Sequence, residues 1–179
     1  MGRYPGWSIN MLFPCPVPPV PAERVVVTGA GIVTALGLGW AINSEGFRTG
    51  RRAFCEVSRF DTSRQRTHHA GEVVCPAELP PTRLGDRRSR RLEPAARFLL
   101  HAAAEAWAQS GWSENEALGP LPVVLGTTSA GMSLGEDFFR RAAAVPGYSR
   151  GQAGRVTYYQ PQRQALDLMD AFEIGRAHV

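Results

Sequence analysis

The stretch Arg24-Val-Val-Val-Thr-Gly-Ala-Gly-Ile-Val-Thr-Ala-Leu-Gly37 begins with three consecutive valines and then reaches two glycines, Gly29 and Gly31. A run this apolar favours a strand that is buried on both faces. Because glycine allows backbone conformations that are closed to other residues, we expect the run to end in a tight turn. A buried strand that leads into such a turn predicts an α/β core with a site at the strand's carboxyl end.

The composition is that of an ordinary globular protein. The chain has 179 residues, of which 44% are hydrophobic and 20% charged, so we expect about one domain. No apolar run approaches the ~20 residues of a membrane span, and a membrane is not expected as a partner. The net charge is only +4, and every basic residue except histidine is an arginine. Nucleic acid is not expected as a partner either, and no cofactor is predicted.

The cysteines indicate a reducing compartment. Cys15, Cys55 and Cys75 form neither a close pair nor the spacing of a metal site. An odd number of cysteines without a secretion signal favours reduced thiols in the cytoplasm. We interpret all three as small structural residues and predict no metal centre.

The chain divides into a tail and a patterned body. Residues 1–23 contain Pro14, Pro16, Pro18, Pro19 and Pro21, which predicts an extended, poorly ordered arm. After the valine stretch we predict a short helix over Trp40–Phe47 and a strand over Ala70–Cys75. The six residues Ile174-Gly-Arg-Ala-His-Val179 read like a translated sequencing adapter, so we expect them to be non-native and exclude them from the fold.

The clearest helix is predicted from about Leu92 to Ser110. Small and apolar residues recur there at three- and four-residue steps, at Leu92, Ala96, Leu99, Ala103, Ala106 and Ser110, which is the pattern of one packed face. Pro94 suits a first turn, and Gly111 suits a helix end. Further on, the pattern predicts a second buried strand over Leu121–Gly126 and helices over Glu136–Ala144 and Pro161–Phe172.

One interpretation of the glycine turn is a dinucleotide site. The turn supplies Gly29 and Gly31, but Thr34 stands at the third position of the G-x-G-x-x-G fingerprint. An acidic residue should follow ~20 positions later to bind the ribose, and the chain has Arg51 and Arg52 there. Since paired arginines could bind a 2′-phosphate, an NADP-binding Rossmann-type domain stays open as a remote alternative.

Several segments follow one another across residues 24–173 in the order and spacing of a known family. They are Arg24–Gly37, Phe60-Asp-Thr-Ser63, Ala70-Gly71, Arg90-Arg-Leu92, Val123-Val-Leu-Gly-Thr-Thr-Ser-Ala-Gly131 and Tyr158–Phe172. Together they resemble the β-ketoacyl-acyl-carrier-protein synthases, the elongating ketosynthases of the thiolase-like superfamily. The resemblance implies an α/β fold, the N-terminal part of an αβαβα layered architecture with an incomplete sheet.

The resemblance also implies a reaction, although no catalytic residue can be carried over. Such enzymes condense an acyl group with a malonyl unit, with loss of carbon dioxide, in fatty-acid, aryl-polyene or polyketide synthesis. Such enzymes use a cysteine at a helix N-terminus and two histidines. None of this chain's cysteines matches that cysteine, and His68, His69, His101 and His178 do not match those histidines. The chain is therefore expected to be an inactive N-terminal fragment. A chain-length-factor-like partner subunit, which lacks the cysteine, is the alternative.

Two sets of residues carry the remaining expectations. By resemblance, an acidic acyl carrier protein would dock on Arg87, Arg90 and Arg91, with Arg155 as a weaker candidate. An ordinary solvated charged face explains the same arginines equally well. Ser129 and Tyr159 match positions that border the acyl tunnel, although packing alone could require small residues nearby. The complete protein is expected to form a homodimer or a ketosynthase heterodimer.

Overall fold

The structure, a computed structural model, describes residues 24–112, 121–128, 131–148, 154, 159–160 and 162–175. The Pro-rich segment 1–23 and residues 176–179 lie outside these ranges. The described helices are α1 (Trp40–Arg48), α2 (Asp86–Ser89), α3 (Pro94–Ser110), α4 (Met132–Ala144) and α5 (Gln162–Phe172). The described strands are β1 (Val33–Thr34), β2 (Gly37–Leu38), β3 (Cys55–Glu56) and β4 (His69–Ala70).

The strands form two small antiparallel sheets. In the first, β1 pairs with β2 so that Val33 lies opposite Leu38. In the second, β3 pairs with β4 so that Cys55 lies opposite Ala70. The strand predicted over Ala70–Cys75 is therefore wrong beyond its first residue, because the backbone pairing ends at Ala70.

The core lies between α3 and α5. Its buried hydrophobic residues are Leu92, Ala96, Leu100, Leu168 and Ala171. The predicted face of α3 is confirmed in part, since Ala96 is buried and Leu99 and Ala103 pack against the core. Among the described residues, no helix has the length and apolar content needed to cross a membrane.

The predicted helices are confirmed, with small shifts at their ends. Pro94 occupies the first position of α3, and Gly111 ends the helix in the left-handed conformation with φ of 72°, as expected for glycine after a last turn. Helix α1 begins at Trp40 as predicted. Helix α4 begins at Met132, ahead of the predicted Glu136, directly after Gly131.

The two predicted buried strands are wrong. Neither Arg24–Gly31 nor Leu121–Gly126 forms a described strand, and Val25 and Val124 are 93% and 96% exposed. A strand satisfies its backbone groups only through a neighbouring strand, and within the described residues no strand pairs with either segment. The valines therefore remain without the sheet that would bury them.

Helix α5 ends in a cap that has a glutamate at the position usually taken by glycine. Glu173 has a φ of 50°, and it is the one described non-glycine residue with positive φ. The Ile174 amide donates to the Met169 carbonyl at 3.0 Å, which is the hydrogen bond that closes a Schellman motif. Ile174 also packs against the core, so this cap holds the end of α5 close to Leu121, whose carbonyl lies beside Gly175.

Candidate functional site

A basic surface is built on residues 84–92, which we call the basic segment. Leu84, Arg88 and Leu92 follow at four-residue steps and face the protein, where Leu92 is buried and Leu84 packs against the core. Helix α2 occupies the middle of this segment and has no side-chain cap at Gly85. A helix of four residues is not stable alone, so the contacts of the inward residues determine where it lies.

Arg88 joins the basic segment to α5 through two carboxylates. Its Nε and Nη2 atoms each lie 2.7 Å from Oδ1 of Asp167, and its Nη1 atom contacts Asp170. The Asp167 side chain is only 5% exposed, and Nε of Arg163 forms a second ion pair with the same Oδ1 atom at 3.3 Å. Burial lowers the pKa of Arg88, but its hydrogen bonds to Asp170 and Asp167 outweigh burial and leave that pKa above its ordinary value. The arginine therefore stays charged and paired.

The predicted docking arginines belong to the solvent-exposed part of the basic segment. Arg87, Arg90 and Arg91 are all exposed. Within the described part of the chain, no hydrogen bond or ion pair engages their side chains. These three arginines, which we call the outward set, are therefore exposed positive charges within one short segment, and their docking role stays a prediction. Arg155, the weaker candidate, lies outside the described residues.

A second polar contact links α5 to the start of α3. Nε2 of the buried Gln164 donates to Oε1 of Glu93 at 3.3 Å. Burial raises the pKa of the Glu93 carboxyl, and the charge of Asp167 raises it further. Hydrogen bonds from Gln164 and the Gly131 amide lower this pKa, but the net shift is upward. Sequence reasoning missed this contact because Gln164 and Asp167 interrupt the apolar face of α5.

The first glycine turn packs against α3. An added Cβ at Gly29 would lie 2.1 Å from the Ala106 carbonyl oxygen, and one at Gly31 would lie 1.8 Å from that of Ala102. Such distances are far below van der Waals contact, so only glycine fits at either position. The glycines therefore serve close packing between the turn and the alanine face of α3.

The same turn offers few free donors to a phosphate. The Ala30 amide donates to Gln109 at 3.1 Å, and the Ile32 amide donates to Glu105 at 3.0 Å. Glu105 also accepts from the Trp40 amide at the start of α1. A dinucleotide site needs such amides at an anion-binding turn, but here a carboxylate already occupies that place. The geometry disfavours the NADP interpretation.

The second glycine turn, before α4, is covered by Tyr159. A Cβ at Gly131 would lie 2.7 Å from the Tyr159 carbonyl oxygen, and one at Gly135 would lie 2.7 Å from its ring. Tyr159 itself is 46% exposed. Its neighbour in the predicted acyl tunnel, Ser129, lies outside the described residues, so the tunnel stays a prediction.

The described cysteines and histidines do not form a catalytic group. Cys55 is exposed in β3, and its thiol lies 3.7 Å from the Ala70 carbonyl; Cys75 is half-buried, and both are free thiols. Burial lowers the pKa of His101, and the charge of Arg97 lowers it further. A hydrogen bond to the Glu78 backbone raises this pKa but does not outweigh them. In the ranges that the structure describes, no three His, Cys, Asp or Glu residues are arranged to bind a metal ion.

The sequence has relatives among known proteins. The family model "Beta-ketoacyl synthase, N-terminal domain" matches residues 22–160. The chain is 32% identical over 112 residues to 3-oxoacyl-(acyl-carrier-protein) synthase 2 of Coxiella burnetii, covering 62% of this chain and 26% of the relative. It is 35% identical over 111 residues to a putative polyketide beta-ketoacyl synthase 1 of Streptomyces halstedii, with coverage of 62% and 26%. The chain thus spans about a quarter of the length of these relatives.

Solved structures share the fold. A beta-ketoacyl synthase from Burkholderia phymatum matches with a TM-score of 0.66 and 21% identity, covering 87% of this chain and 38% of that one. The ishigamide ketosynthase/chain length factor matches with a TM-score of 0.63 and 22% identity, covering 83% and 37%. These matches confirm the predicted α/β class, the N-terminal part of a thiolase-like layered fold with an incomplete sheet.

Proposed function

The chain belongs to the beta-ketoacyl synthase family, and from this premise we propose that it supplies the N-terminal part of a 3-oxoacyl-acyl-carrier-protein synthase. The complete protein would join an acyl thioester to a malonyl thioester, releasing carbon dioxide and a free thiol and leaving a β-ketoacyl thioester. Relatives named for acyl-carrier-protein and polyketide synthesis support this reaction class. A reducing cytoplasm, expected from the unpaired cysteines, forms part of the proposal.

We assign docking, and not bond formation, to the described residues. Condensation needs a thiolate nucleophile, which a helix N-terminus stabilises. Cys55 lies in a short strand and Cys75 in a loop, so neither has that environment. The chain by itself is accordingly proposed to be inactive in condensation, and its contribution to the reaction would be to bring the substrate carrier to the complete protein.

The observation that carries the docking role is the outward set of Arg87, Arg90 and Arg91. All three are exposed, and they extend from a segment that is attached to the core by Leu84 and Leu92. A cluster of one sign on a fixed segment steers and orients an oppositely charged partner. An acidic acyl carrier protein is the partner proposed.

Charge reversal tests this role. Arg90→Glu combined with Arg91→Glu should weaken binding of an acyl carrier protein roughly tenfold at low ionic strength, because attraction is replaced by repulsion. Titration calorimetry of the full chain at several salt concentrations measures the change.

A matched control exists on α4. Arg140→Glu with Arg141→Glu makes the same change of charge at an exposed pair of arginines that already contact Glu136 and Asp137. The control should bind the carrier nearly as the parent chain does. Equal weakening by both double variants would mean that only total charge matters and would reject the basic segment as the docking surface.

A second candidate is a non-catalytic partner subunit. The fold match to the ishigamide ketosynthase/chain length factor, with its TM-score of 0.63, favours it as the alternative. A partner subunit would form a stable heterodimer with a catalytic ketosynthase. Size-exclusion chromatography of the chain mixed with such a ketosynthase, and separately with carrier protein, distinguishes the two candidates by which mixture elutes as a larger species.

A further inference from the structure

The inward side of the basic segment carries a charged residue where an apolar one would be expected. Arg88 stands midway between Leu84 and Leu92, and its side chain is only 25% exposed. It contacts Asp167 in the middle of α5 and Asp170 in the last turn of that helix. Its charge is therefore engaged inside the protein and is not part of the outward set.

Arg83, directly before the basic segment, makes a more exposed ion pair than Arg88 does. The amide of Arg83 donates to the Ala171 carbonyl at 3.0 Å, and its guanidinium pairs with Glu173. Both groups of that ion pair are more than half exposed, and exposed pairs contribute little. By contrast, the Asp167 carboxylate is almost fully buried, so losing Arg88, one of the two arginines beside it, would leave a buried charge less well compensated.

We propose that Arg88 is a positioning residue for the docking surface, which rests on the proposed function. Its fork-shaped guanidinium reaches Asp167 and Asp170 together and so fixes the rotation of α2 about its own axis. With that rotation fixed, Arg87, Arg90 and Arg91 present their charges to the carrier. Without it, the same three arginines would be held in the docking orientation for only part of the time.

A change that keeps the charge tests this proposal. Lysine is a single point donor and does not reproduce the planar fork of arginine, so Arg88→Lys should loosen α2 without altering the net charge. Carrier affinity should fall about fivefold, since apparent affinity scales with the fraction of chains in the competent orientation. Its salt dependence should stay that of the parent chain. Arg140→Lys, the same substitution at an exposed arginine of α4 outside the docking set, is the control and should leave affinity almost unchanged.

Hydrogen–deuterium exchange supplies a readout that does not depend on the carrier. The amides of Ser89, Arg90 and Arg91 donate within the segment, to Gly85, Asp86 and Arg88. Their protection should fall in Arg88→Lys and not in Arg140→Lys. Equal protection in the two variants would overturn the positioning role. If the parent chain fails to bind carrier, the proposed function fails, and a selective loss of protection in Arg88→Lys would still support Arg88 as the residue that fixes α2.

Discussion

The α3–α5 helix pair differs in burial from two valine-rich segments, residues 24–31 and 121–126, which we call the valine segments. Hydrophobicity alone does not explain this difference. Leu100 in α3 is completely buried, whereas Val25 and Val124 in the valine segments are almost completely exposed. The valine runs are the more continuously apolar of the two regions. Apolar sequence alone therefore does not ensure burial here, since Val123 packs against the core while its neighbour Val124 is exposed.

Backbone hydrogen bonding explains the difference. A helix pairs its own amides and carbonyls, so α3 and α5 need only one apolar face each to pack together. A strand depends on a neighbour, and a neighbour is absent beside both valine segments in the described ranges. The helix pair thus satisfies its own backbone, while the valine segments have no strand partner among the described residues.

The largest effect is expected from deleting side-chain volume in the helix pair. Leu100→Ala should lower the free energy of unfolding by about 3–5 kcal/mol, because it removes buried contacts and leaves a cavity. Val27→Ala, at a valine that is 86% exposed, should change it by less than about 0.5 kcal/mol. Urea unfolding followed by circular dichroism measures both. A large loss in Val27→Ala would show that the valine segment is packed in solution and would remove the contrast.

A smaller effect is expected where the first valine segment meets the helix pair. Gly31→Ala forces a Cβ against the Ala102 carbonyl and should cost about 2–3 kcal/mol through overpacking. Gly126→Ala, after the second valine segment, is the matched control, because an added Cβ there has no described atom within 4 Å. Differential scanning calorimetry of the two variants gives the comparison. Similar melting temperatures would contradict the close approach of the first turn to α3.

The smallest effect, and a stabilising one, is expected at the end of α5. Glu173→Gly should raise the free energy of unfolding by about 0.5 kcal/mol, since glycine adopts positive φ without the steric cost of a Cβ. The exposed ion pair with Arg83 that is lost contributes little. Glu173→Gln, which loses the charge but keeps the Cβ, should not stabilise the chain. If both variants are equally stable in urea, backbone strain at this cap is not the cause.

Local signals in the sequence predicted the helices well. Pro94 and Gly111 located the ends of α3 because a first turn lacks a bonded amide and a last turn favours left-handed glycine. The three outward arginines were predicted from the family resemblance instead, and their docking role stays a prediction. Local signals failed for the valine segments, because a strand requires a partner that local sequence does not specify.

The inward arginine shows a signal that was present and overlooked. Leu84, Arg88 and Leu92 repeat at four residues, which places the arginine on the buried side of its segment. Its partner Asp167 lies 79 positions along the chain, so the pairing itself could not be predicted. The spacing is consistent with a partly buried charge, but only the packing identifies the carboxylates that compensate it.

The sequence by itself determined the family and the helices. It did so because these depend on the order of residues and on backbone preferences over a few turns. The tertiary structure decided what the first glycine turn is for. Gly29 and Gly31 looked suited to a phosphate, but they allow the backbone to lie against Ala102 and Ala106, with Glu105 accepting from the nearby amides. Glycine permits close approach to any group, so only the fold selects which group approaches.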